Sequence, residues 1–157
     1  MAHLTGDFES TIDPKGRFLL PAGIKKQFQE GDQLVFWLNR GMEKCINLFP
    51  VSHWEPIFAK LSQLDEFEPK DRHFKRYYLS GLTKLEPDSS GKILIPKNLL
   101  EHAGIEKDII LVGNINKFEI WDTENYKRSL TAFTPEEYST MGREVMSGKI
   151  DKANGLQ

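Results

Sequence analysis

Four histidines, one cysteine and a few aspartates carry most of the chemical potential in this sequence. His3, His53, His73 and His102 are scattered, with no His-Glu-x-x-His or other paired ligand spacing. Each reads as an ordinary core or surface histidine. Cys45 falls in the apolar run CINLF and reads as a small buried hydrophobe rather than a nucleophile. A single cysteine allows neither an intrachain disulfide nor a cysteine-rich metal site. No glycine-rich phosphate loop and no Gly-x-Ser-x-Gly elbow occurs, so the sequence suggests no catalysis, metal or cofactor. One enzymatic pairing is conceivable, because Asp13 and Asp88 could share a proton as an acid–base dyad. Each, however, has a glycine three residues on and a basic residue after it, which is the spacing of a capped turn. An ion pair would keep both carboxylates charged. The turn reading outweighs the dyad.

What remains is a doubled Asp-x-x-Gly-basic tip: Asp13, Lys15, Gly16 and Arg17, then Asp88, Gly91 and Lys92. Such a tip presents a cation at a fixed place on a strand end. The aspartate can orient Arg17 by a charge-assisted hydrogen bond while other donors stay available. A guanidinium can take guanine O6 and N7 together, or a phosphate. One good base contact supplies roughly 1–3 kcal/mol of discrimination, too little to pick out a site. Several tips gathered by a symmetric assembly over repeated DNA would be required. These seven residues are the candidate DNA-binding set.

The tips belong to an internal repeat. TIDPKGRFLLP (11–21) matches EPDSSGKILIP (86–96) at an offset of 75, and INLFPVSHW (46–54) matches FEIWDTENY (118–126) at an offset of 72. In the first half, FESTI (8–12) alternates as a strand with Phe8, Ser10 and Ile12 on one face. Asp13 to Gly16 forms a turn, and RFLLP (17–21) is a returning strand ended by Pro21. A short helix over 22–29 follows, then strands at 34–38 and 45–49 joined by a loop containing Asn39 and Gly41. The second half repeats the plan with a turn at 88–91, a strand at 92–96, a helix at 97–104 ended by Gly104, and strands at 108–113 and 117–122. Two helices lie between the halves. One has a capping box from Ser52 to Glu55, and the other, over 70–79, opens at Pro69 and points Phe74, Tyr77 and Tyr78 inward. Thr134-Pro-Glu-Glu starts a last helix, and the polar end from Ser147 is expected to fray.

Composition fits a globular α+β protein. Among 157 residues, 39% are apolar and 28% charged, and 21 basic against 23 acidic residues give −2. Near-neutrality excludes binding to nucleic acid by bulk charge but not a local basic face. Residues 13–28 carry Lys15, Arg17, Lys25 and Lys26 against Asp13, whereas residues 84–101 balance. The basic helix 70–79 reads as a solvated face more readily than as a phosphate contact. The start lacks a basic segment followed by an apolar run, and no apolar run approaches the ~20 residues that span a bilayer. The expectation is a cytoplasmic protein without membrane contact.

Taken together, 6–28, KRYYLSG (75–81), 88–113 and KFEIWD (117–122) resemble the MraZ family of bacterial transcriptional regulators, encoded at the head of the division and cell-wall gene cluster. The resemblance covers most of residues 1–130. It implies tandem AbrB-like β-hairpin/barrel repeats of the swapped-hairpin type with flanking helices, a ring-shaped homo-oligomer, and binding to short promoter repeats, its own included, by a cytoplasmic, nucleoid-associated repressor. The family's Asp-x-x-x-Arg motif maps to Asp13 and Arg17, and to Asp88 and Lys92, where lysine departs from the pattern. Lysine lacks the bidentate fork, so the second repeat is expected to hold phosphate more than read bases. The expected divisions are 1–80 and 81–130 for the repeats and 131–157 for a tail. The rival reading is a ring-forming protein-interaction scaffold that does not read DNA.

Overall fold

The computed structural model describes residues 3–28 and 33–153, with side chains through residue 148. Residues 1–123 form one compact unit and 124–157 a second.

Along the chain the repeat order is strand, strand, short helix, strand, strand, helix. The first copy contains β1 (Asp7–Thr11), β2 (Arg17–Leu19), α1 (Ala22–Lys25), β3 (Phe36–Arg40), β4 (Ile46–Pro50) and α2 (Val51–Ser62). Then α3 (Pro69–Leu79) leads to β5 (Thr83–Leu85), β6 (Lys92–Leu94), α4 (Lys97–Ala103), β7 (Asp108–Gly113), β8 (Phe118–Asp122) and α5 (Thr123–Leu130).

The two copies are not separate. Six strands form one antiparallel sheet in the order β1-β7-β8-β4-β3-β5, and β2 pairs with β6 in a two-stranded ribbon. Each repeat lends its first strand to the other: β1 pairs with β7, and β5 with β3. The pairings centred on Phe18↔Ile93 and Asn47↔Glu119 join equivalent residues, so a pseudo-two-fold axis runs through both. This exchange corrects the local hairpin expected from residues 8–21. β1 and β2 meet at the turn but form no ladder, because each finds its partner in the other repeat.

Alternation along the strands builds two apolar layers. Phe36 and Leu38 of β3, Leu48 of β4, and Phe118 and Ile120 of β8 face a core closed by Phe18 and Ile93 of the ribbon and Leu99 of α4. Phe49 and half-buried Trp37 face the opposite side, where Trp54 of α2 stacks on Tyr78 of α3 at 6.3 Å. Asn39 belongs to β3 rather than to the expected loop, and its side-chain amide donates to the Tyr78 carbonyl at 3.0 Å.

Other local expectations shift for physical reasons. α1 ends at Lys25 and is shorter than 22–29; residues 29–32 lie outside the described part. The Ser52 capping box does not form. Pro50 is the N-cap, Ser52 is already inside the helix, and its hydroxyl meets His53 Nδ1. Of the three aromatic residues expected to pack inward from α3, only Tyr78 is buried; Phe74 and Tyr77 are exposed. Pro69 does open α3 at its first turn. β5 was missed in the sequence because TKL is short and carries a lysine, although it sits 75 residues after the equivalent part of β1.

The second unit contains most of α5, and α6 (Pro135–Ala153). The start of α6 is a reciprocal capping box. The Thr134 amide donates to the Glu137 carboxylate and the Glu137 amide to the Thr134 hydroxyl, both at 3.1 Å. Helix persists into the segment expected to fray, as far as Ala153; residues 154–157 lie outside the described part.

Candidate nucleic-acid interface

The two turns have the same construction. The Asp13 amide donates to the Arg17 carbonyl at 2.8 Å and the Gly16 amide to the Asp13 carbonyl at 2.9 Å; Asp88, Lys92 and Gly91 repeat these bonds at 2.8 and 2.9 Å. Gly16 and Gly91 sit at φ of 85° and 79°, a left-handed conformation that costs a side-chain-bearing residue and not glycine. Each aspartate caps its turn with Oδ1. Asp13 accepts from the amides of Lys15 and Arg17, both at 2.9 Å. Asp88 accepts from the amides of Ser90 and Lys92 at 2.9 and 3.0 Å.

Strand exchange brings the turns together. The Ile95 amide donates to the Gly16 carbonyl at 2.9 Å, and the Leu20 amide to the Gly91 carbonyl at 3.3 Å. The remaining carboxylate oxygens then face the other repeat. Arg17 Nε donates to Asp13 Oδ2 at 3.0 Å, and its Nη1 to Asp88 Oδ2 at 3.1 Å. Lys92 Nζ crosses to Asp13 Oδ2 at 3.3 Å. A chain of alternating charge results: Asp88, Arg17, Asp13, Lys92.

The cluster decides between two readings of the aspartates. They are brought together, with Arg17 bridging them. Bonds from the Arg17 amide first, then Lys92, the Arg17 side chain and the Lys15 amide, hold Asp13 down at about 2 despite partial desolvation. Asp88 is also lowered, chiefly by the Lys92 amide. Both carboxyls are therefore held toward the anionic form, which disfavours a shared proton. Arg17 is also placed differently from the sequence picture. On the ribbon's outer face it runs across both turns, tied to Asp13 and to Asp88, with 27% of its side chain exposed. The pull of Asp88 across the exchanged ribbon is the reason, and nothing local to residues 13–17 announces it.

All seven candidate residues thus lie in the two adjoining turns. Among them Lys15 is exposed, and so is Lys25 beside them. A β-carbon built on Gly91 would lie 3.7 Å from Lys25 Nζ, which places that cation at the second turn. Lys25 thus stands at the tips as well as adding to the local charge of residues 13–28. Cys45 is buried, and desolvation pushes its thiol up to about 12. His102 ties α4 to the β3–β4 turn, its Nε2 lying 3.2 Å from the Gly41 carbonyl and 3.0 Å from that of Glu43. Among the described residues no His, Cys, Asp and Glu group is arranged to hold a metal, and no helix is long and apolar enough to cross a membrane.

Comparison with known proteins places this duplicated architecture. The family model described as "MraZ protein, putative antitoxin-like" matches residues 3–77 and again 78–143. The chain belongs to the MraZ family. Curated relatives named "Transcriptional regulator MraZ" include one from Cytophaga hutchinsonii, 41% identical over 83% of this chain and 86% of that protein. Another, from Thermoanaerobacter pseudethanolicus, is 41% identical over 96% of this chain and 99% of its own length. The relative from Flavobacterium psychrophilum is 32% identical over 99% of both. The MraZ match falls on each repeat in turn, as the pseudo-symmetric fold requires.

Proposed function

We propose that this MraZ-family chain is a sequence-specific DNA-binding repressor of the division and cell-wall gene cluster, its own promoter included. It grips short direct repeats in duplex DNA as a ring-shaped homo-oligomer in the cytoplasm, at the nucleoid. Transcriptional regulation is the role named for its relatives. The observation that carries the DNA-binding reading is the joining of two Asp-x-x-Gly-basic turns through Arg17. Arg17 is held in place by Nε and Nη1, and its Nη2 takes part in neither bond. A guanidinium fixed in this way loses little conformational entropy when it meets a base edge or phosphate. Inside the cluster the charges cancel. Lys15 and Lys25 add the positive surplus that draws a phosphate backbone.

The test is a titration on the chain's own upstream DNA. Arg17→Ala should lower affinity and blunt sequence preference, and wild-type binding should weaken as salt rises. Retained specificity in the variant would reject the site. A scaffold reading has one observation in its favour: Phe74 and Tyr77 line an apolar groove with Pro69, Lys70 and His73 on α3. A stoichiometric protein complex with no DNA shift at low salt would favour it.

A further inference from the structure

The outward face of the β2–β6 ribbon carries more than charge. Phe18 and Ile93 point inward at 0% exposure, so the period of two turns Arg17, Leu19, Lys92 and Leu94 outward. The register sets Arg17 opposite Leu94 and Leu19 opposite Lys92. The result is a square of two cations and two leucines about the pseudo-two-fold axis. Leu19 and Leu94 are 53% and 54% exposed, although each follows a fully buried neighbour. Each is also seated on the other repeat's turn. A β-carbon built at Gly91 would lie 3.5 Å from Leu19 Cδ1, and one at Gly16 would lie 3.8 Å from Leu94 Cδ1.

Resting on the DNA-binding reading above, we propose that Leu19 and Leu94 are apolar specificity residues, each contacting the 5-methyl group of a thymine in the major groove. Three residues of strand rise about 10 Å and paired strands lie about 5 Å apart. A ribbon of that size enters a major groove about 12 Å wide, where thymine presents its only apolar edge. A paired copy of the same face is the poorer occupant, because Arg17 and Lys92 are already neutralised by Asp13 and Asp88 and the surplus cations Lys15 and Lys25 would be set against their own equivalents. An anionic duplex with methyl groups between its polar base edges satisfies both the cations and the leucines.

The experiment starts from a random-sequence DNA duplex library bound by the full chain. The tightest duplexes are resynthesised with deoxyuridine replacing thymine, which removes only the methyl. Wild type should bind the deoxyuridine duplex about fourfold more weakly for each contacted methyl. Leu19→Ala and Leu94→Ala should each bind the thymine duplex less tightly and lose the thymine preference at one position. Thermal unfolding verifies that the variants stay folded. Wild type that gives no Arg17-dependent sequence selection defeats the DNA reading itself. Selection that needs Arg17 yet ignores thymine-to-deoxyuridine exchange, or leucine variants that change oligomer mass and not DNA preference, overturns this inference alone.

Discussion

The two turns share a backbone and differ in one cation. Arg17 in the first reaches both aspartates, whereas Lys92 in the second reaches only Asp13 and leaves its own Asp88 to Arg17. A planar fork can satisfy two carboxylates at once; an ammonium on a flexible stem acts as a point charge. Asp13 Oδ2 therefore takes two cations and Asp88 Oδ2 one. The second carboxylate is also the more exposed, at 37% against 20%. A duplication thus keeps its geometry through glycine φ and aspartate caps while its chemistry diverges at the side chain that follows.

The largest effects should show where the turns do not differ. Phe18 and Ile93 face each other on the pseudo-axis, both fully buried. Phe18→Ala should cost about 3–5 kcal/mol and Ile93→Ala about 2–5 kcal/mol. Each should lower the denaturant midpoint of residues 1–123 in one transition, because every strand of one repeat depends on the other. Separate transitions for the two repeats would contradict the exchanged sheet.

Next come the cations themselves. In DNA titration, Arg17→Ala should lose about 1–3 kcal/mol of base discrimination. Lys92→Ala should weaken binding almost uniformly across sequences and flatten the salt slope by about one unit. Equal behaviour of the two variants would erase the functional difference between the turns. The glycines give a smaller, symmetric effect. Gly16→Ala and Gly91→Ala should each cost about 1–2 kcal/mol through the left-handed backbone alone, because the nearest atom to either built β-carbon is 3.5 Å away. Thermal melts should show the two nearly equal.

Acid sensitivity should give the smallest difference. Asp13 falls from an ordinary 3.8 to about 2 on folding. Its stabilising contribution is therefore full above about pH 4 and fades as pH falls through 2. Asp88 is shifted in the same direction. Asp13→Asn should be less stable than wild type at pH 7, with the gap closing toward pH 2. The gap for Asp88→Asn should be narrower, since one cation rather than two is lost. Urea midpoints across that pH series measure both.

The repeat, both turns and most strands could be read from the sequence because their signals are local: Asp and Gly spacing, proline positions and alternation. Strand partners could not. Nothing in FESTI says that β1 will pair with Ile109 and Leu111 a hundred residues on, since strand exchange and a local hairpin bury the same residues. The position of Arg17 was hidden for the same reason, because its second partner is Asp88. The Ser52 box failed because Pro50 carries the strand straight into α2, while Thr134, with no strand before it, capped as its spacing suggests. α5 was foreshadowed by the match between 46–54 and 118–126, but it is short and mostly polar, with Tyr126 and Leu130 as its large apolar side chains, and it buries none of its residues.

Because β1 completes the second repeat's sheet and β5 the first's, a polypeptide holding one repeat would be unfinished by itself. Two identical chains trading those strands would restore every pairing. The segment from Leu79 to Thr83 then acts as a covalent splice between the two repeats. It ties them one to one, so that an arginine and a lysine can occupy equivalent positions.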